Sequence, residues 1–167
     1  MIRTHACSLT ALPVLALALS INAASAHTTC APFQAVSELD TIHFIDHGED
    51  ELSPGDQRVL KFMYFDTDGN RIGTQHTTTT VMHPHPEDGD GHALMANAVL
   101  VFDAGTLRTS LFSQLRDPTD TSQSSVDPVE WVVLGGTGVF AGATGNTRPV
   151  PRGDGTYDVE IDIVCPG

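Results

Sequence analysis

Trp131-Val132-Val133-Leu134-Gly135-Gly136-Thr137-Gly138-Val139-Phe140-Ala141-Gly142-Ala143-Thr144-Gly145 is an apolar run that opens into glycines with one aromatic embedded among them. Glycines behind an apolar strand also occur in dinucleotide-binding turns, where the backbone approaches a pyrophosphate at a helix N-terminus. That use requires a helix inside a βαβ unit, an acidic residue about 20 positions on, and further strands. Only residues 146–167 follow Gly145, and Pro149 and Pro151 stand where such a helix would have to begin. The stretch therefore reads as backbone geometry. Consecutive glycines permit positive φ and a tight corner between two strands, and Phe140 turns inward to fill the space they leave.

Outward from this corner the hydrophobic period is two nearly everywhere. Tyr157, Val159, Ile161 and Ile163 alternate with Asp158, Glu160 and Asp162, which is the pattern of a half-buried strand. Residues 59–65 and 71–82 read as strands joined at Asp68-Gly69, a dipeptide that tolerates the positive φ of a tight hairpin. Thr77 to Thr80 support extended structure, because β-branched side chains suit a pleated surface. Further strands are expected at 35–46, 94–102, 106–115 and 129–134, with a weaker one near 146–151. Some eight short strands separated by Gly, Pro and Asp predict an all-β barrel or sandwich, and closure is favoured because it removes exposed edges. The longer connections, His83 to His92 and Asp117 to Asp127, read as surface loops at the barrel mouth.

The N-terminal segment carries an address. Arg3, the apolar core from Leu9 to Ile21 and the small-x-small triplet Ala24-Ser25-Ala26 predict a cleaved signal peptide over residues 1–26, too short in its core to span a bilayer. His27, Thr28 and Thr29 in front of Cys30 do not suit a lipoprotein. Residues 27–167 would form one domain, secreted or periplasmic. Cys7 leaves with the leader, and the remaining pair, Cys30 and Cys165, is expected to form a disulfide between the two ends of the domain. The net charge of −13 disfavours nucleic acid and anionic membrane surfaces as partners.

Gly135, Gly136, Thr137, Gly138, Phe140, Ala143 and Gly145 match the GGTGxFxxAxG signature of the allene oxide cyclase and dirigent superfamily. Upstream, Pro54-Gly55-Asp56-Gln57 before one strand and Asp66-Thr67-Asp68-Gly69-Asn70-Arg71-Ile72-Gly73 at the next turn resemble the bacterial members with an allene oxide cyclase-like barrel. The likeness covers residues 36–164. It implies an eight-stranded antiparallel up-and-down barrel whose apolar interior folds a reactive, flexible substrate into one conformer and cyclises or isomerises it, largely by shape and without a cofactor. It also implies dimers or trimers. Plant dirigent members commonly carry Arg before the last glycine of the signature, where this chain has Thr144, so no family catalytic residue is carried over.

An eight-stranded barrel is filled by side chains or holds one small ligand, so chemistry depends on polar groups that face inward. His76 shares a face with Ile72, Thr74, Thr78, Thr80 and Met82; if that face is interior, His76 is a buried imidazole that serves general acid/base work or a structural hydrogen bond. Tyr64 shares a face with Leu60 and Phe62, as a core aromatic whose hydroxyl reaches a pocket. Asp46, Glu49 and Asp56 stand at the rim, where burial would raise a carboxyl pKa toward proton donation and solvation would leave an ordinary loop acid. Arg108 is a further cation on a strand. His76, Tyr64 and Asp46 are the catalytic candidates, and a small hydrophobic molecule is the expected partner.

Two readings stand beside the enzyme: a noncatalytic binding or structural barrel, and an exported copper or zinc binder using His27 as a new N-terminus with the loop that holds His83, His85 and His92. The loop histidines match no tight metal signature, and the turn from Asp66 to Arg71 is not a calcium loop, because its glycine comes at the fourth position and Thr77 stands where a bidentate Glu belongs.

Overall fold

Each segment of alternating polarity must bury one face, and the chain solves this by rolling its strands around a common interior. The computed structural model describes residues 29–48, 53–83, 92–115 and 130–166. It contains strands β1 (Phe33–Ile45), β2 (Gln57–Phe65), β3 (Arg71–His83), β4 (His92–Phe102), β5 (Gly105–Leu115), β6 (Trp131–Gly136), β7 (Thr144–Pro151) and β8 (Thr156–Val164). They form a closed barrel in chain order, and β8 returns antiparallel to β1 through Phe33↔Ile161 and Ala35↔Val159. This is the expected eight-stranded antiparallel up-and-down barrel. The leader and His27, Glu49, residues 84–91 of the histidine loop and the loop 117–127 lie outside the described residues.

β8 buries Val159, Ile161 and Ile163, as its alternation predicts. The segment near 146–151 is a full strand. β7 pairs with β6 only from Gly145 to Thr147, so Pro149 and Pro151 lie on a stretch laddered to β8 alone, where a residue without an N–H is tolerated.

β3 reverses one expectation. In an antiparallel ladder, directly opposed residues share a face, and β2 turns Leu60 and Tyr64 inward. Their partners Thr77 and Gly73 therefore face in, together with Gln75, Thr79 and Val81, while His76 pairs with Lys61 on the outside and is exposed. Met82 is exposed on that outer side, whereas Ile72, at the register shift between β2 and β3, packs half-buried against the core. The strand lacks an apolar alternation because its inner face is built from Thr, Gln and Gly.

One end of the barrel is closed. After β6 the Thr137 N–H donates to the Thr106 carbonyl, a single 3-10 turn spans Gly138–Phe140, and the Val139 N–H donates to the Ala104 carbonyl. Phe140 is fully buried and packs against Phe102 at 5.7 Å between ring centroids. Two glycines are obligatory here. Gly138 has φ 62°, and a Cβ there would lie 2.2 Å from the Ala104 carbonyl oxygen; Gly145 has φ 132°, and a Cβ would lie 2.1 Å from the Asp162 carbonyl oxygen. Phe33 and Tyr64 meet Phe102 edge-on at 5.6 and 6.1 Å, which completes an aromatic floor. Beneath it the expected disulfide joins Cys30 to Cys165 across a sequence separation of 135 residues.

Candidate functional site

The interior above this floor is lined differently. β3 and β4 contribute Thr77 and Thr79 opposite Ala98 and Ala96, four small side chains on adjacent strands that keep this part of the wall thin. Around them, on the other strands, large inward residues are incompletely covered: Phe62 of β2 and Leu111 of β5 beside this wall, and Leu39, Trp131 and Tyr157 further round the barrel, are only half-buried although their ladder positions point inward. Inward side chains that retain exposure are not closed over by their neighbours, so the half of the barrel away from Phe140 is filled less tightly than the floor. Its mouth lies at the end where β1 runs into β2, β3 into β4 and β5 into β6.

A polar lane runs up the inner face of β2 and β3 from the floor. The buried Tyr64 hydroxyl donates to Gln75 Oε1 at 2.5 Å, and Gln75 Nε2 donates to Thr77 Oγ1 at 2.8 Å. The donor order runs from floor to mouth and leaves the Thr77 hydroxyl hydrogen as its outer end. Burial pushes the Tyr64 phenol well above its ordinary value of 10. The phenol therefore stays protonated across the physiological range, and it polarises the lane as a neutral donor instead of acting as a base. Arg58 continues the same face of β2 toward the mouth, opposite Thr79, with its Nε buried. Among the inward-facing residues whose side chains are described there is no carboxylate and no imidazole.

The remaining sequence candidates take other places. Asp46 is exposed beyond the end of β1, where it accepts the Gly48 N–H at 2.9 Å. Asp56 is buried but works as a latch: its carboxylate accepts the N–H groups of His47 and Ser53, each at 2.8 Å, and the Ser53 hydroxyl at 3.2 Å. Those bonds, that from the His47 N–H foremost, hold its pKa below the ordinary 3.8, the reverse of the rise a proton donor needs. Arg108 is exposed on the outer face of β5. Thus Tyr64 faces the lumen, whereas His76, Asp46 and Arg108 do not. Gln75, Thr77, Arg58 and Trp131 were missed. The parity of β2, in which Arg58, Leu60, Phe62 and Tyr64 recur every second residue, carried the signal for the cation.

No cluster of three or more His, Cys, Asp or Glu side chains able to hold a metal occurs among the described residues, and none of their helices is long and apolar enough to cross a membrane.

Solved structures share the fold, three of them as follows. A pyocyanin demethylase superposes with a TM-score of 0.62 at 17% identity, over 80% of this chain and 100% of its own. A nonspecific haem-binding cyclase, which catalyses a (4 + 2) cycloaddition during neoabyssomicin biosynthesis, gives 0.61 at 17% identity over 80% of this chain and 65% of its own. A Diels–Alderase from Streptomyces koyangensis gives 0.60 at 17% identity over 79% of this chain and 67% of its own. No curated protein matches in sequence. Residues 38–163, from the middle of β1 to the penultimate residue of β8, match the allene oxide cyclase barrel like domain, and the chain belongs to that family.

Proposed function

We propose that the barrel takes up one small, largely apolar molecule through its mouth and acts as a cofactor-independent cyclase or isomerase. The observation that carries this reading is the Tyr64–Gln75–Thr77 lane, which ends beneath half-buried aromatic walls. A flexible substrate confined between Phe62, Trp131 and the small-residue wall of β3 and β4 loses most of its conformers on binding. Orientation of this kind lowers a barrier by several kcal/mol without any charged catalyst. The Thr77 hydroxyl, polarised through the amide of Gln75, donates a hydrogen bond to a carbonyl oxygen that gains electron density as the ring closes. Tyr64 is thus the sequence candidate retained in the site, as the root of the lane, and His76 and Asp46 are given no role. Cyclase chemistry named for two solved structures of the same fold supports the assignment.

A second reading is a noncatalytic carrier, favoured by the lack of a carboxylate or imidazole among the inward-facing residues whose side chains are described. Both readings place the domain outside the cytoplasm, after removal of residues 1–26. The Cys30–Cys165 bridge supports this, because such bonds persist in oxidising compartments.

The test uses native mass spectrometry of protein purified from its own source, with released small molecules identified. An apolar compound bound at one per barrel supports uptake, and its conversion to a ring-closed isomer of equal mass by wild type, slowed in Thr77→Val, establishes the cyclase. Uptake without conversion selects the carrier, and an empty barrel that takes up no apolar compound refutes both.

A further inference from the structure

The strands keep their fixed positive charges on the outside, with one departure. Lys61 is ion-paired with Asp40 and Arg148 with Glu160 on the outer face, and Arg71 and Arg108 are exposed. Arg58 instead shares the face of β2 that carries Leu60, Phe62 and Tyr64 inward, and it is half-buried. Its ladder partners are Phe44 of β1 and the buried Thr79 of β3, and the row continues to Ala96 of β4 and Leu111 of β5. A guanidinium is thus set into a wall that is otherwise apolar or hydroxylic, just inside the mouth.

Turning a charged group inward costs desolvation that an outward position avoids, and part of that cost is already incurred, because Nε of Arg58 is buried. The planar fork carries five N–H donors, so contacts with the lumen wall and contact with an oxygen anion are not exclusive. Thr79, directly across the ladder, brings a hydroxyl to the same place, since opposed Cβ atoms lie about 5 Å apart. In such a partly dry setting a charge-assisted bond to an anion is stronger than the same bond in water.

We propose that Arg58 sets which molecules the barrel takes up: those that carry one ionised acidic oxygen, a carboxylate or an enolate, which meets this guanidinium and the Thr79 hydroxyl beneath the mouth. The inference rests on the uptake of a small, largely apolar molecule proposed above, and it assigns the charge that molecule bears. Thr79 lies two residues from Thr77 on the same face of β3, about 7 Å along the strand. The acidic oxygen at Arg58 and the carbonyl at Thr77 are therefore separated by about that length, with the apolar body of the molecule directed toward Phe62. A neutral isostere forfeits the charge-assisted bond and binds about 10- to 100-fold more weakly. The net charge of −13 does not reverse this preference, because its field decays over about 8 Å at physiological salt whereas the pair in the lumen is in contact.

The test titrates the processed protein with phenylbutanoate and with its neutral isostere phenylbutanamide, followed by ligand-observed NMR at neutral pH. Wild type is expected to bind the anion at least about 10-fold more tightly than the amide. Arg58→Gln is expected to abolish that preference by weakening the anion while the amide stays within about 3-fold, and Arg108→Gln, which removes the same charge from the outer face, is expected to leave both affinities unchanged. Nitrogen-labelled wild type gives a readout that needs no variant to fold: the Nε–H resonance of Arg58 is expected to move with the anion and not with the amide. Equal affinity for the two probes, a preference that survives Arg58→Gln, or an Nε–H resonance that ignores the anion overturns the proposal while leaving uptake intact. Binding of neither probe counts against uptake itself and takes the proposal with it.

Discussion

Replacing Phe140 with Ala removes the plug of the closed end. Its ring is fully buried, belongs to the same core cluster as Leu100, Leu107, Ile161 and Ile163, and stands 5.7 Å from the ring of Phe102. Large-to-small replacements of buried aromatics cost about 3–5 kcal/mol, through lost transfer energy and the cavity left behind. The corner around Phe140 is fixed by hydrogen bonds from Thr137, Val139 and Ala143, so it has little freedom to collapse into the void. The upper part of the range applies, about 4 kcal/mol. For a domain of this length each kcal/mol lowers Tm by roughly 3–4 °C, which gives a fall of roughly 12–16 °C. Urea unfolding followed by circular dichroism, with the disulfide intact in both proteins, measures the difference. Phe140→Leu, which keeps most of the volume, is expected to lose less than half as much. A loss below about 1 kcal/mol for Phe140→Ala would show that the floor is not packed around this ring, and the account of the glycine corner as a plugged turn would fail.

Tyr64→Phe keeps the aromatic contact with Phe102 but leaves Gln75 Oε1 without its donor, so a loss of about 1–2 kcal/mol is expected in the same unfolding assay, and adding Gln75→Leu to the Tyr64→Phe variant is expected to restore part of it. The folded-state pKa of Asp56 lies below 3.8, so its contribution is complete above that value and declines as pH falls through the lowered one; wild type is expected to lose stability below about pH 4 more steeply than Asp56→Asn, measured by Tm against pH. Opening the Cys30–Cys165 bridge by a double Ser replacement frees a loop of 135 residues in the unfolded chain, worth about 5 kcal/mol in the chain-entropy estimate, and calorimetry is expected to show that loss with the strand content retained.

The barrel was legible in the sequence because its fold-determining signals are local. The alternation in β8, the Asp68-Gly69 hairpin and the glycines around Phe140 each impose a backbone geometry that needs no partner to be recognised. The lumen was less legible because its wall depends on register. In β3 the four consecutive threonines present the same residue type to both faces, so nothing in the strand itself says which face is inside; only its pairing with β2 places Gln75 and Thr77 inward and His76 outward. Asp56 illustrates a second limit. A rim carboxylate reads alike whether it is an acid catalyst or a latch, and the deciding N–H donors, His47 and Ser53, come from a turn whose path the sequence does not specify.

The central claim is a barrel solid at the Phe140 end and hollow at the other, and a crystal pressurised with xenon tests it most directly, because xenon settles in dry apolar cavities of atomic size. Anomalous density is expected inside the barrel between Trp131, Phe62 and the Ala96–Ala98 wall, with none between Phe102 and Phe140. A lumen packed by side chains from end to end, with no xenon at the Trp131 level, would contradict the account.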